Sequence, residues 1–180
     1  YRTALIGKSH LQNMTNAPPF QQAEAVPPDK VAPPAGLRLA DKSAEKYQTI
    51  SYEQERPHSW QNPDFEPAMP YYGFDDVIMA SPHFEVAGYH HKRHLDAVDP
   101  TIALRAGRKN AAKRSEHNLI TFASAVAPEH YSTRFIGDAT SNWLGEHASV
   151  RADTPFFVWC SLTDPHTPWT PPETYYDLYD

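Results

Sequence analysis

The sequence is poor in cysteine, in long apolar runs and in excess positive charge. Its single cysteine, Cys160, rules out an internal disulfide and any zinc site built from several thiolates. No apolar run approaches the roughly 20 residues that cross a bilayer, so no membrane span is expected in this segment. Lys and Arg number 16 against 22 Asp and Glu, a formal net charge of −6. Nothing basic is spread widely enough to neutralise many phosphates, which argues against a nucleic-acid partner. What is present is globular in character. The 180 residues are 40% apolar and 21% charged, with a mean hydropathy of −0.64. That is long enough for one domain with a real core.

An initiating Met is also missing. Tyr1-Arg2-Thr3-Ala4-Leu5-Ile6-Gly7 reads as a strand already under way, and Tyr175-Tyr176-Asp177-Leu178-Tyr179-Asp180 ends without a closing element. Residues 1–180 are therefore expected to be an internal part of one catalytic domain, cut at both ends. A leader peptide would fall outside this window, and one cysteine suits cytoplasm and periplasm alike.

Proline is abundant, with 18 residues, and pairs at 18–19, 27–28, 33–34 and 171–172. Paired prolines remove backbone donors and bias their neighbours away from helix. Residues 13–70 are accordingly expected to form an irregular, Pro-rich excursion. Regular structure is easier to place elsewhere. Residues 3–6 are a short apolar run ending at Gly7, and 74–79 form a weaker strand candidate. Over 133–147, Phe135, Ile136, Ala139, Trp143 and Leu144 share one helical face, with Ser132 or Thr133 placed to cap it. Residues 155–162 are nearly all apolar, the pattern of a strand buried on both faces. This succession predicts an α/β domain with helices covering a largely parallel or mixed sheet.

Two polar segments sit just past strand ends: Gly7-Lys8-Ser9-His10, and Asp164-Pro165-His166-Thr167-Pro168-Trp169. Ligands of open α/β sheets bind at the carboxyl ends of strands, so both placements suit one site. In extended backbone Lys8 and His10 project to the same side. A cation beside an imidazole suits an anionic group, and His10 and His166 are suited to relaying protons. Spacing also leaves open the plainer reading, a solvated lysine and hydrogen-bonded structural histidines.

Tyr1-Arg2-Thr3-Ala4-Leu5-Ile6-Gly7-Lys8-Ser9-His10-Leu11 resembles the sulfatase-family segment G-Y-x-T-A-x-x-G-K-W-H-L-G. The run Pro155-Phe156-Phe157-Val158-Trp159-Cys160-Ser161-Leu162-Thr163-Asp164-Pro165-His166-Thr167-Pro168 is similar to a second family segment, an apolar strand followed by D-P-H-x-P. The order agrees, and 71–95 resembles a further family stretch more loosely. The resemblance implies an alkaline-phosphatase-like α/β fold and a sulfuric ester hydrolase. Its substrate would be a small-molecule or carbohydrate sulfate ester. It implies a formylglycine nucleophile and a calcium or magnesium ion, both supplied from outside this segment. By the same resemblance Lys8 contacts the sulfate, His10 takes a proton as the sulfated intermediate breaks down, and His166 contacts the ester and assists the leaving oxygen. Preorganised positive donors around a developing anion are the physical core of that assignment.

Three departures from the family pattern stand out. Ser9 replaces the usual aromatic and Gln12 the usual glycine, which is expected to alter the pocket wall. Ser9 also brings the segment closer to members that hydrolyse phosphonate monoesters or phosphodiesters. No C/S-x-P-x-R motif is present. Cys160 lies inside a strand and reads as a small buried apolar residue, so the chain alone should not turn over substrate. A catalytically inert relative acting as a binding module is the reading from another class.

Other clusters weigh less. In His90-His91-Lys92-Arg93-His94, Lys92 and Arg93 would repel a bound cation, so a solvated basic helix start is expected rather than a metal site. His83 reads as structural or surface, and His130 as part of a helix-entry loop. The basic run 105–114 lacks interleaved aromatics and reads as a solvated face. Trp169, Tyr175, Tyr176 and Tyr179 suit either a carbohydrate or aryl pocket or the packing of a proline-rich return loop.

Overall fold

The computed structural model describes residues 1–12, 14, 28–31, 53–80 and 85–179. His83 and most of the 13–70 excursion lie outside them. The longest described part of that excursion, 53–70, is turns, irregular backbone and one short 3-10 helix, Ser59–Gln61.

Three strands form a parallel sheet in the order β2-β1-β5. β1 (Arg2–Gly7) is central, with β2 (Asp76–Met79) on one side and β5 (Phe156–Ser161) on the other. The chain between β2 and β5 carries α1 (Tyr89–Val98), a two-residue antiparallel ribbon of β3 (Lys113–Arg114) with β4 (Phe122–Ala123), and α2 (Ser132–Val150). A short helix, α3 (Glu173–Tyr176), follows β5. The chain is thus a mixed α/β protein with a small parallel sheet flanked by helices. No described helix is long and apolar enough to cross a membrane.

Strand alternation divides the core. Ala4 and Ile6 face α2, where they pack with Ala80, Ile136, Phe135, Ala139, Trp143 and Val158. On the opposite face, Met79 joins Met14, Tyr71, Tyr89 and Trp60, so the first turn of α1 covers that side. Central β1 is the best-shielded of the three parallel strands, with Ala4, Leu5 and Ile6 fully buried.

Four expectations need correction. β5 is not buried on both faces: Phe156 is 49% and Phe157 57% exposed. Among the described residues β5 is an edge strand: Val158 packs into the α2 core and Phe156 rests edge-on against Trp143 and His147, while Phe157 and Trp159 lie beside Phe74. For the same reason Cys160 is exposed, its sulfur accepting the Thr140 hydroxyl at 3.3 Å. Leu144 lies off the buried stripe at 38% exposure. Neither Ser132 nor Thr133 caps α2; Tyr131 is the cap residue, without a side-chain bond. Ser132 Oγ meets Thr163 Oγ1 at 3.0 Å and the Thr133 hydroxyl donates to Asp164 Oδ2 at 2.6 Å. The two hydroxyls tie the helix to the loop after β5.

Candidate active site at the carboxyl edge of the sheet

β1 and β5 run parallel with Gly7 opposite Ser161, so the segments that follow leave from one edge of the sheet. Neighbouring strands are about 4.8 Å apart. The Lys8 N–H donates to the Ser161 carbonyl at 2.9 Å, carrying the ladder one residue beyond the strand. Gly7 makes this approach possible. Its φ is +117°, and a Cβ there would sit 1.9 Å from the Ser161 oxygen, which only glycine avoids.

Lys8 is half-buried, and no carboxylate of the described residues forms an ion pair with it. Burial lowers its pKa from the ordinary lysine value. A partly desolvated ammonium without a counter-charge is an electrostatic deficit that a bound anion removes.

His10 is exposed and has a left-handed backbone, φ 60°. That conformation is uncommon for a side-chain-bearing residue and requires support. The support comes from Glu55, 0% exposed. Its Oε1 accepts from Ser9 Oγ at 2.7 Å, Leu11 N at 2.9 Å and Gln12 N at 3.0 Å, and also from the Tyr71 hydroxyl. Burial, then the Glu55 hydrogen bond, pushes the Tyr71 pKa up. In parallel, the Gln12 side-chain oxygen accepts from Gln54 N at 3.0 Å.

His166 is exposed in the loop after β5. Its N–H donates to the Thr163 carbonyl at 3.1 Å, closing a turn. Its Nδ1 lies 2.6 Å from the Thr167 carbonyl, which can only accept, so Nδ1 carries a proton. The loop is held on both sides: Thr163 and Asp164 by α2, and Trp169 to Thr170 by backbone bonds to Ile120 and Phe122 and by the Tyr131 hydroxyl, 2.8 Å from the Thr170 carbonyl. Beside it lies a groove of about 810 Å³ whose walls include Tyr131, Arg134, Asp164, Pro165, Trp169 and Tyr175. Trp169 and Tyr175 are 44% and 54% exposed. Tyr176 is not among the lining residues, and the Tyr179 side chain lies outside the described structure.

Lys8, His10 and His166 are therefore carried on loops that leave the same edge of adjacent strands. The 90–94 cluster is elsewhere, on α1, and serves packing. His90 Nδ1 accepts from Met79 N at 2.9 Å and its Nε2 meets Glu66 at 3.0 Å. Buried His91 bonds the His130 carbonyl and stacks on Phe135, while Arg93 pairs with Glu66 over the Trp60 ring. Only His94 of the three imidazoles there is exposed, so a solvated patch describes the cluster poorly. Among the described residues no group of three or more His, Cys, Asp or Glu is arranged to hold a metal ion. Calcium and magnesium take carboxylate and carbonyl oxygens, whereas the rim offers an ammonium and two imidazoles. The residues described do not fit such an ion.

The chain matches no known family model, no curated protein and no solved structure. Glu55 and Tyr71 escaped the sequence reading. Nothing in Tyr52-Glu53-Gln54-Glu55-Arg56 distinguishes Glu55 from a solvated acid, and its partners Ser9, Leu11 and Gln12 lie more than forty positions upstream.

Proposed function

We propose that this chain carries the anion-holding part of a sulfuric ester hydrolase of alkaline-phosphatase-like fold, acting on aryl or carbohydrate sulfates. The observation that supports it best is the half-buried Lys8 ammonium, with no ion-pair partner among the described residues, hydrogen-bonded through its backbone to the strand whose exit loop bears His166. In this reading Lys8 neutralises the tetrahedral anion as charge builds on its oxygens. His166, with Nδ1–H committed to the Thr167 carbonyl, acts as an imidazolium that gives its Nε2 proton to the ester oxygen as the bond to sulfur breaks, leaving the neutral ring. His10 accepts a proton when the sulfated intermediate is broken down. The groove beside His166, with its exposed Trp169 and Tyr175, suits the flat face of an aryl or sugar group. Nucleophile and metal ligands are required from polypeptide beyond these residues.

The test assays the full gene product against paired aryl sulfate and aryl phosphonate esters. Turnover of the sulfate, lost on Lys8→Ala and on His166→Ala, supports the reading. Preference for the phosphonate would move the assignment to phosphonate or phosphodiester hydrolysis within the same superfamily. Near-wild-type rates in both variants would remove the site. Absence of turnover with inorganic sulfate still bound would mark an inert binding relative.

A further inference from the structure

His10 is unusual in two respects that meet at one atom. It is a non-glycine residue in left-handed backbone, and the residues on both sides of it are bonded to the same buried oxygen, Glu55 Oε1. Ser9 donates its hydroxyl from one side; Leu11 and Gln12 donate their N–H groups from the other. The oxygen also receives the Tyr71 hydroxyl, while Glu55 Oε2 is buried with no partner. Four donors on one oxygen leave the carboxyl little freedom to turn, since rotation would orphan several buried groups at once. The Glu55 backbone is held as well, its carbonyl accepting the Tyr89 hydroxyl at 2.7 Å. Gln54 adds a second tie, its N–H going to the Gln12 side chain.

The two positions at which residues 7–12 depart from the sulfatase pattern, Ser9 and Gln12, are the two whose side chains engage 54–55. Both are buried, so neither forms the pocket wall as expected; they face the support of the loop. Lys8 is held differently, through its own N–H on Ser161. The supports of the two residues are thus separable.

We propose that Glu55 is a positioning residue of the candidate site: by bonding Ser9 on one side and Leu11 and Gln12 on the other, it locks His10 in the left-handed conformation from which its exposed imidazole acts. This rests on the role assigned to His10 in the proposed hydrolysis. Glu55 touches no substrate. It fixes where the imidazole stands, and a misplaced proton acceptor slows the chemical step more than it weakens binding.

The experiment uses the full gene product with Glu55→Gln, Glu55→Ala, Ser9→Ala and, as control, Tyr71→Phe, which removes one donor but leaves both flanks of His10 bonded. Kinetics on 4-nitrophenyl sulfate are measured well below the melting temperature and normalised to folded protein. Glu55→Ala should lower kcat on the order of 10- to 100-fold with KM little changed. Glu55→Gln and Ser9→Ala should show smaller drops, and Tyr71→Phe none. The second readout needs no turnover: in protein labelled with 13C-histidine, the His10 ring signal, identified by its loss in His10→Ala, should shift and broaden in Glu55→Ala and Glu55→Gln. Should Glu55→Ala fail to fold, Glu55→Gln and Ser9→Ala decide. A lower melting temperature with unchanged kcat per folded molecule and an unmoved His10 signal would make Glu55 purely structural and overturn the proposal. Should the wild type turn over no ester, the functional reading falls, and the His10 signal alone then decides whether Glu55 holds that loop.

Discussion

The two edges of the parallel sheet treat charge in opposite ways. At the amino edge, Arg2 makes a two-pronged ion pair with Asp76, which also accepts the Trp143 indole N–H at 2.9 Å. Next to it, Thr3 and Asp75 exchange backbone and side-chain bonds, and these bonds hold the Asp75 carboxyl below its usual pKa. At the carboxyl edge, Lys8 has no carboxylate partner among the described residues, and burial pushes its pKa down. His10 meanwhile occupies a backbone conformation that costs energy. An edge that only had to be stable would be finished like the first. Among the described residues the second keeps an unmet positive charge and a strained residue, the arrangement expected where a ligand completes the electrostatics.

The contrast can be broken most severely at Gly7. Alanine there would place a Cβ within 1.9 Å of the Ser161 oxygen at a φ of +117°. Gly7→Ala should lose more than about 3 kcal/mol in urea unfolding or fail to fold, because backbone meets backbone and neither can yield. Next come the charges. Lys8→Ala should reduce turnover of an aryl sulfate by about 100-fold or more, with the melting temperature unchanged. Because burial lowers the Lys8 pKa, affinity for inorganic sulfate should fall as pH rises, beginning below the ordinary lysine value of about 10.4. Calorimetric titration across pH 7 to 10 measures this; a flat profile would sever Lys8 from anion binding.

A third effect lies away from either edge and calibrates stability against pH. Burial lowers the His91 pKa to about 4, despite its bond to the His130 carbonyl and with His94 and His130 adding like charge. The unfolded chain, with a histidine pKa of about 6.5, binds that proton first. Stability is therefore full above about pH 6.5 and lost as pH falls towards about 4, by up to roughly 3 kcal/mol. His91→Phe should flatten the acid limb in thermal melts between pH 4 and 7, and an unaltered limb would move the cause elsewhere. Smaller still, Arg2→Ala should cost about 1 kcal/mol, since the pair is part-exposed, and leave turnover per folded molecule intact. A loss of turnover equal to that of Lys8→Ala would erase the distinction between the edges. Least of all, Asp138→Ala, which breaks the solvent-exposed pair with Arg134 on α2, should leave the midpoint of urea unfolding unchanged.

Much of this was readable from local pattern. The strands, the long helix and the placement of Lys8 and His166 just past strand ends follow from apolar periodicity and from the residues that interrupt it. Burial was less readable. The apolar run 156–161 looked like an interior strand because side-chain chemistry reports a preference for burial, whereas the sheet position of β5 leaves two of its phenylalanines half-exposed. Ser132 and Thr133 looked like caps because capping is local; they reach across to Thr163 and Asp164 because the fold brings that loop alongside.

Glu55 marks the boundary most sharply. Composition and periodicity were enough to establish an α/β chain with a lysine and two histidines on strand-exit loops, since those properties depend on neighbours within a few residues. The carboxyl that restrains one of those histidines, and the absence of a carboxylate partner for the lysine among the described residues, arise from how segments far apart along the chain are brought together. Hydrogen bonding and ion pairing act over a few ångströms in space, so only folding reveals which distant groups fall within that range.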